Sequence, residues 1–158
     1  MIVVADTGPL ISLAHIKQLD ILEKLYPDYI IAHGVYQELV SYKRIDFDER
    51  DLSNMKKHIR KINFEIHPSL SALGLGEAES IALLKEVNGD AFLTDDMEAR
   101  RVAESMHITC FGTLALLLQA KSAGLIETLK PILLELIEHK RYYSRDLIEL
   151  VLIRSGEF

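Results

Sequence analysis

The chain of 158 residues is 49% hydrophobic and 27% charged, a composition typical of a globular protein with one hydrophobic core. Its 24 acidic residues outnumber the 18 Lys and Arg, and a net charge of −6 excludes nucleic-acid binding through a broad basic surface. The apolar runs fall short of the ~20 residues of a membrane-spanning helix, and no secretory signal is recognisable, so we expect a cytoplasmic protein without membrane contact.

The first part of the chain predicts short buried strands that alternate with helices. Apolar residues 2–5 predict a strand, and the sequence DTGP at 6–9 is typical of a turn that begins a helix. The charged stretch 43–61 predicts a solvated helix or excursion without a catalytic role. Hydrophobic periodicity predicts helices over 10–14, 19–26 and 34–42, and a second buried strand over 29–32.

The second part of the chain repeats this alternation and ends in helices. Residues 62–66 alternate between apolar and polar, which predicts an edge strand that stops before Pro68. Short apolar strands separated by helices are typical of an α/β fold around a mostly parallel sheet. We expect one domain over 1–158, with about 112–158 as a C-terminal helical extension packed on the rest. Further strands are predicted over 91–94 and 108–111, and further helices over 75–87 and 97–106.

Acidic residues directly follow two of the predicted strands. Asp6 follows the first strand, and Asp95 and Asp96 follow the strand over 91–94. Ligand sites in parallel α/β sheets form outside the carboxyl ends of the strands, so we expect these side chains to share one crevice. Like charges gathered in a crevice need a cation, and an oxygen-only pocket is the natural site of Mg²⁺ or Mn²⁺.

Glutamates on two predicted helices are candidates to join these aspartates. At 100° per residue Glu77 shares a helix face with Ile81, whereas Glu79 falls nearly opposite. An inward carboxylate on an apolar face needs a cation, an arginine or a hydrogen-bonding partner. The amphipathicity of this helix is weak, so Glu79 stays open as an alternative to Glu77. Glu38 lies at the flank of its helix, and helical geometry leaves its direction undecided.

Each acidic residue also has a purely structural interpretation. Asp6 and Asp95 both fit helix N-caps, because Asp is favoured at strand-to-helix turns for its hydrogen bonds alone. Glu38 fits an exposed helix residue, and Glu77 fits an ion pair with a nearby basic side chain. Only the combination of all four positions favours a metal site.

Four motifs around these acids, in chain order, resemble the PIN-domain family, which includes the VapC-like toxin ribonucleases. The remainder, from 112 to 157, resembles a less characterised prokaryotic branch of that family, so the resemblance covers almost the whole chain. It implies a three-layer α/β/α sandwich around a mostly parallel sheet, followed by C-terminal helices. The motifs are VADTGPLI at 4–11, VYQEL at 35–39, GEAESIA at 76–82, and LTDD at 93–96 with Ala-Arg at 99–100.

The resemblance also implies an activity and the residues that carry it. In the family, acids at the matched positions bind Mg²⁺ or Mn²⁺ and support hydrolysis of RNA phosphodiester bonds. These positions are Asp6, Glu38, Glu77 and Asp95 here, with Asp96 as a fifth candidate metal ligand. The implied protein is a metal-dependent ribonuclease, and the toxin of a toxin–antitoxin pair, with an antitoxin protein as partner, is one role within the family. Many members carry Asp at the position of Glu77, and the C-terminal extension is longer than in a typical toxin.

Phosphodiester hydrolysis needs an activated water and stabilisation of charge, which two metal ions ~3.5–4 Å apart provide together. We expect Asp6 and Asp95 to bind metal directly, Glu77 to hold or orient it, and Glu38 to bind a second ion or position its water. Threonines beside two of the acids, Thr7 and Thr94, are candidates to orient the carboxylates by hydrogen bonds. Arg100 is a candidate contact to substrate phosphates, with a solvated helix face as the alternative.

Three other interpretations compete with a nuclease. The triplet Asp6-Thr7-Gly8 also occurs in aspartic proteases, but those are nearly all β, whereas helical periodicity dominates after residue 70. A receiver-type phosphoacceptor site lacks its late lysine after a strand. A catalytically weak PIN-like module that binds RNA or a protein is the alternative that we rank second. Apolar residues in the late helices also predict a homodimer.

Overall fold

The structure, a computed structural model, describes residues 1–42, 47–63, 65–139, 141 and 143–158. Its strands are β1 (Val3–Ala5), β2 (Ile31–Ala32), β3 (Ile59–Arg60), β4 (Ala91–Leu93) and β5 (Thr109–Phe111). Its helices are α1 (Thr7–His15), α2 (Asp20–Leu25), α3 (His33–Ser41), α4 (Glu49–Lys56), α5 (Leu75–Glu86), α6 (Met97–Ser105), α7 (Thr113–Ser122), α8 (Lys130–Glu138) and α9 (Arg145–Ser155).

All of these strands run parallel. β1, β4 and β5 form a three-stranded sheet, and β2 pairs with β3. A parallel bridge between Val4 and Ile30 joins the two parts, supported by a 2.8 Å hydrogen bond from the Ile30 amide to the Val3 carbonyl. The spatial order is therefore β3-β2-β1-β4-β5, with β1 in the centre. The chain adds β2 and β3 on one side of β1 and then β4 and β5 on the other side, so the strand order reverses between β1 and β4.

The central strands form because their residues are apolar throughout and can be covered on both faces. All residues of β1 and β4 are buried. Helix α5 packs on β1, β2 and β4 and also contacts α3, while α7 contacts α1, α2 and α9. These layers confirm the predicted α/β/α fold around a mostly parallel sheet. No helix in the described ranges combines the length and the apolar character needed to cross a membrane.

The predicted edge strand over 62–66 is wrong. The strand that pairs with β2 lies at Ile59–Arg60, and in the described part of that segment, residues 62, 63, 65 and 66, no strand forms. His58 sets this register, because its ring stacks on Tyr29 at 3.8 Å and its Nδ1 lies 2.8 Å from the Tyr29 carbonyl oxygen. This tertiary anchor outweighs the local alternation of apolar residues. Phe64 and part of the charged stretch, 43–46, lie outside the described residues.

Candidate active site

The centre of the site is Asp6, at the point where β1 ends. The pairing of Ala5 with Leu93 places Asp6 beside Thr94, and the Asp6 amide donates to the Leu93 carbonyl at 2.9 Å. The Thr94 hydroxyl donates to Asp6 Oδ2 at 2.8 Å, while Oδ1 accepts from the Thr7 amide at 2.8 Å and so caps α1. Asp6 lies at the carboxyl end of β1, beside the point between β1 and β4 where the strand order reverses. Parallel sheets bind ligands at such points.

Glu38, on α3, reaches the same place from the side. Its Oε2 accepts from the Thr7 hydroxyl at 2.5 Å, and its Oε1 accepts from the Gly76 amide at 3.1 Å. A Cβ atom on Gly76 would lie only 2.6 Å from Glu38 Oε1, so the carboxylate needs a glycine at this point. Glu38 therefore lies between the N-terminal turns of α1 and α5.

Glu77, in the first turn of α5, is half-buried. Its Oε2 accepts from the Gly74 amide at 2.8 Å. Burial raises the pKa of Glu77, and the negative charges of Asp96 and Glu38 raise it further, against the opposing effect of the Gly74 hydrogen bond. Of the two aspartates that follow β4, Asp96 is therefore the one whose charge raises the pKa of Glu77.

Asp6 is the most strongly perturbed of these carboxylates. Burial raises the pKa of Asp6 to about 6, with smaller contributions from the negative charges of Glu77 and Glu38, although hydrogen bonds from Thr94 and Thr7 lower it. The side chain is 4% exposed. A buried carboxylate next to other carboxylates is the environment expected of a site that holds a cation. We call Asp6, Glu38, Glu77 and Asp96 the acid group.

The neighbouring residues Asp95 and Asp96 have different partners. Asp96 caps α6, since its Oδ1 accepts from the Ala99 amide at 2.8 Å, and its own amide donates to the Thr94 hydroxyl at 3.1 Å. Asp95 contacts α7 instead. Its Oδ1 accepts from the Thr113 amide at 2.8 Å, and its Oδ2 accepts from the hydroxyls of Thr113 at 2.6 Å and Tyr143 at 3.1 Å.

Glu79 and Arg100, the remaining candidates, lie at the margins of the site. Glu79, which helical periodicity left open as an alternative to Glu77, accepts a hydrogen bond from the Gly34 amide at its Oε2, at 2.7 Å. Glu79 therefore supports the start of α3, the helix that carries Glu38. Arg100 pairs with Glu104 at 2.9 Å along α6, so this guanidinium is already engaged on the helix surface.

Comparison with known proteins decides the family. A family model described as DUF3368, PIN domain, matches residues 2–157. The chain belongs to the PIN-domain family. PIN domains are typically nucleases, act on nucleic acids and usually bind divalent metals. No curated protein and no solved structure matches the chain in the other two comparisons.

Three acids of this PIN domain accept hydrogen bonds from other parts of the chain. Within the part of the chain that the structure describes, no three Asp, Glu, His or Cys side chains are placed to hold one metal ion together. The donors are the Thr94 hydroxyl at Asp6, the Gly76 amide at Glu38 and the Gly74 amide at Glu77. The acid group still fits a hard divalent cation, because all of its side chains are carboxylates and such cations prefer oxygen ligands.

Arg141 and Tyr143, which lie between α8 and α9 and approach the site, were not predicted from the sequence. Arg141 Nε donates to the Ser12 hydroxyl at 2.8 Å, and one Nη donates to the Gly8 carbonyl at 3.2 Å. These contacts join residues more than 100 positions apart, and no local pattern predicts them. Thr113 was more accessible to prediction, since it follows the end of β5 as Thr7 follows Asp6 at the end of β1.

Proposed function

We propose that this PIN domain is a metal-dependent endoribonuclease that hydrolyses RNA phosphodiester bonds with Mg²⁺ or Mn²⁺. One observation supports the proposal most strongly. The buried Asp6 carboxylate is fixed by Thr94 where the strand order reverses between β1 and β4, and other carboxylates lie close enough to raise its pKa. A fold stabilised only by helix caps does not need several acids around one buried acid, because their mutual repulsion costs stability.

The contacts favour the acid group, Asp6, Glu38, Glu77 and Asp96, as the metal-binding residues. Asp96 raises the pKa of Glu77, whereas Asp95 already accepts hydrogen bonds from Thr113 and Tyr143. A direct metal-binding role for Asp95 stays a prediction. In the role that its contacts support, Asp95 holds the start of α7 against the end of β4 and so positions Asp96 next to it in the chain.

The residues of this chain would divide the work as follows. A bound divalent ion supplies Lewis-acid chemistry, which activates water and stabilises charge on the phosphate. Asp6 and Asp96 hold the ion from the ends of β1 and β4. Thr94 orients both of them, since its hydroxyl donates to Asp6 and accepts from the Asp96 amide. Thr7 orients Glu38 in the same way through its hydroxyl.

A catalytically weak module that binds RNA or protein is the second candidate. It is favoured by the hydrogen bonds that the Glu38 and Glu77 carboxylates already accept from backbone amides, which any bound ion must compete with or tolerate. A toxin role with an antitoxin partner would be compatible with either candidate, and it requires cleavage of cellular RNA.

Incubation of the purified chain with a mixed set of single-stranded and structured RNAs distinguishes the two candidates. We expect cleavage with added Mg²⁺ or Mn²⁺ and no cleavage after a chelator removes the ion. Intact RNA under all metal conditions, together with measurable RNA binding, would favour the binding module.

A further inference from the structure

A cavity of about 450 Å³ lies directly beside the acid group. Thr94, whose hydroxyl donates to Asp6, is one of its lining residues, so the cavity adjoins the acid group. The volume is in the range of pockets that bind small organic ligands, about 300–1,000 Å³. The cavity is therefore large enough for one nucleotide unit next to the acids.

Arg141 and Tyr143, which lie between α8 and α9, line this cavity. Tyr143 is held in place by hydrogen bonds of its hydroxyl with Asp95 Oδ2 at 3.1 Å and with the Ser12 hydroxyl at 3.3 Å. Burial raises the pKa of Tyr143, so the phenol keeps the proton that it donates to Asp95. Gly112 also lines the cavity, and a Cβ there would come within 2.7 Å of Asp95 Oδ1. Asp95 is therefore close to two other lining residues, Tyr143 and Gly112.

Arg141 brings a positive charge into this cavity. Its described hydrogen bonds go to neutral acceptors, the Ser12 hydroxyl and the Gly8 carbonyl, and use two of its five N–H donors. A partly buried guanidinium with neutral partners attracts an anion more strongly than one that is already paired. The other basic residue of the lining, Arg100, is paired with Glu104.

Apolar side chains complete the lining at the solvent side. Met97 is 72% exposed and Leu147 is 41% exposed, while Leu114 is buried. An exposed apolar edge beside a cation is the combination that binds a nucleotide of an unpaired strand, since the base packs on apolar surface while the phosphate meets the charge.

We propose that this cavity binds one nucleotide of a single-stranded RNA substrate adjacent to the cleaved bond, with its phosphate on Arg141 and its base against Met97 and Leu147. The proposal deepens the nuclease function and rests on it for the position of the cleaved bond. It assigns Arg141 a role in substrate binding. One arginine beside the acid group would give this acidic protein a local phosphate contact without a broad basic surface.

Binding of a short fluorescent single-stranded RNA, measured with a chelator present so that cleavage does not interfere, tests the proposal. Arg141→Gln should weaken binding about tenfold, the effect of one lost charged hydrogen-bonding partner. It should also reduce the slope of log Kd against log salt concentration by about 0.7, the value for one phosphate contact on a single strand. Arg145→Gln is the matched control, because it removes the same charge from an exposed side chain that pairs with Glu149.

A second variant avoids the contacts that Arg141 makes with α1. Ala115→Leu fills the cavity from α7 and should weaken RNA binding, whereas Ala123→Leu adds the same atoms at an exposed position of the same region and should not. If circular dichroism shows that Arg141→Gln does not fold, the comparison of Ala115→Leu with Ala123→Leu tests the proposal by itself. Equal affinities of the Ala115 and Ala123 variants, or of folded Arg141 and Arg145 variants, would overturn the proposal.

Cleavage separates this proposal from the nuclease function. Cleavage by the wild type, with all four variants binding RNA equally, would overturn the cavity assignment and leave the nuclease standing. Cavity-dependent RNA binding without cleavage in Mg²⁺ or Mn²⁺ would support the cavity and overturn the nuclease.

Discussion

The Thr94 hydroxyl donates a 2.8 Å hydrogen bond to the Asp6 carboxylate, which joins the ends of β1 and β4 across 88 residues of chain. Thr94 is 1% exposed and Asp6 is 4% exposed, so this contact is protected from water. A charge-assisted hydrogen bond in such a place fixes the carboxylate before any ligand arrives. The acid of the site whose pKa is raised most is therefore also held in place by a buried hydrogen bond.

We expect the stability of the metal-free protein to depend on the ionisation of Asp6. Because the pKa of Asp6 rises from 3.8 to about 6 on folding, the folded state holds this proton more tightly than the unfolded chain does. Its contribution to the free energy of unfolding is therefore largest below about pH 4 and is lost as the pH rises through about 6, by about 3 kcal/mol in all. Urea unfolding at a series of pH values measures this loss.

Asp6→Asn is the variant that isolates this effect, because it removes the charge and keeps an oxygen for the Thr7 amide. It should be more stable than the wild type above about pH 6 and should show a weaker dependence on pH. Asp28→Asn, at an exposed position, should follow the wild type. An Asp6→Asn protein with the pH dependence of the Asp28 variant would show that Asp6 is not perturbed.

The two adjacent aspartates should respond differently to the same change. Asp96→Asn keeps a capping oxygen for α6, so we expect normal stability and loss of metal-dependent cleavage. Asp95→Asn disturbs the contacts with Thr113 and Tyr143, so we expect a loss of about 1–2 kcal/mol in stability. Thermal unfolding and RNA cleavage, measured on both variants, separate the roles. Full activity of Asp96→Asn, with inactive but fully stable Asp95→Asn, would assign the metal to Asp95 instead.

Gly76→Ala tests the position of Glu38. The added Cβ would lie 2.6 Å from Glu38 Oε1, so the carboxylate must move away from the acid group. Alanine favours helix by about 1 kcal/mol over glycine, which supports folding of the variant. Displacement of a site residue by about 1 Å lowers rates roughly 100-fold, so we expect folded protein with weak cleavage. A cleavage rate of Gly76→Ala equal to that of the wild type would refute the role of Glu38.

Much of the fold follows from short-range patterns in the sequence. The apolar runs at β1 and β4 predict buried parallel strands, and the position of Asp6 and Asp96 at their ends follows from that geometry alone. The strand β3 was placed wrongly because its register depends on His58 and Tyr29, which are 29 residues apart. Alternation of apolar residues reports a local preference, and here a tertiary contact decides.

Side-chain directions within the site were harder to predict. Helical periodicity left the choice between Glu77 and Glu79 open, and each carboxylate accepts from a backbone amide, that of Gly74 for Glu77 and that of Gly34 for Glu79. Asp95 and Asp96 are neighbours in sequence and look equivalent, but one caps α6 and the other contacts Thr113 on α7. These choices depend on which donor lies opposite, and only the assembled fold determines that.

Exposed apolar side chains on α8 and α9 should make the protein a homodimer. Leu134 is 55% exposed and Ile153 is 57% exposed, and a second copy is the simplest partner to cover them. Light scattering at micromolar concentration should give twice the monomer mass. Leu134→Lys should shift the mass towards the monomer, whereas Asp28→Lys, at an exposed position outside α8 and α9, should not. A monomeric wild type would contradict this expectation.

The RNA cleavage rate as a function of Mn²⁺ concentration, for the wild type and for Asp6→Asn, tests the central claim most directly. The claim is that Asp6 holds a divalent ion for RNA hydrolysis. We expect the wild-type rate to rise with Mn²⁺ to a plateau and to vanish with chelator, while folded Asp6→Asn shows no cleavage at any concentration and Asp28→Asn matches the wild type. Cleavage by Asp6→Asn at the wild-type rate and with the same Mn²⁺ dependence would contradict the claim.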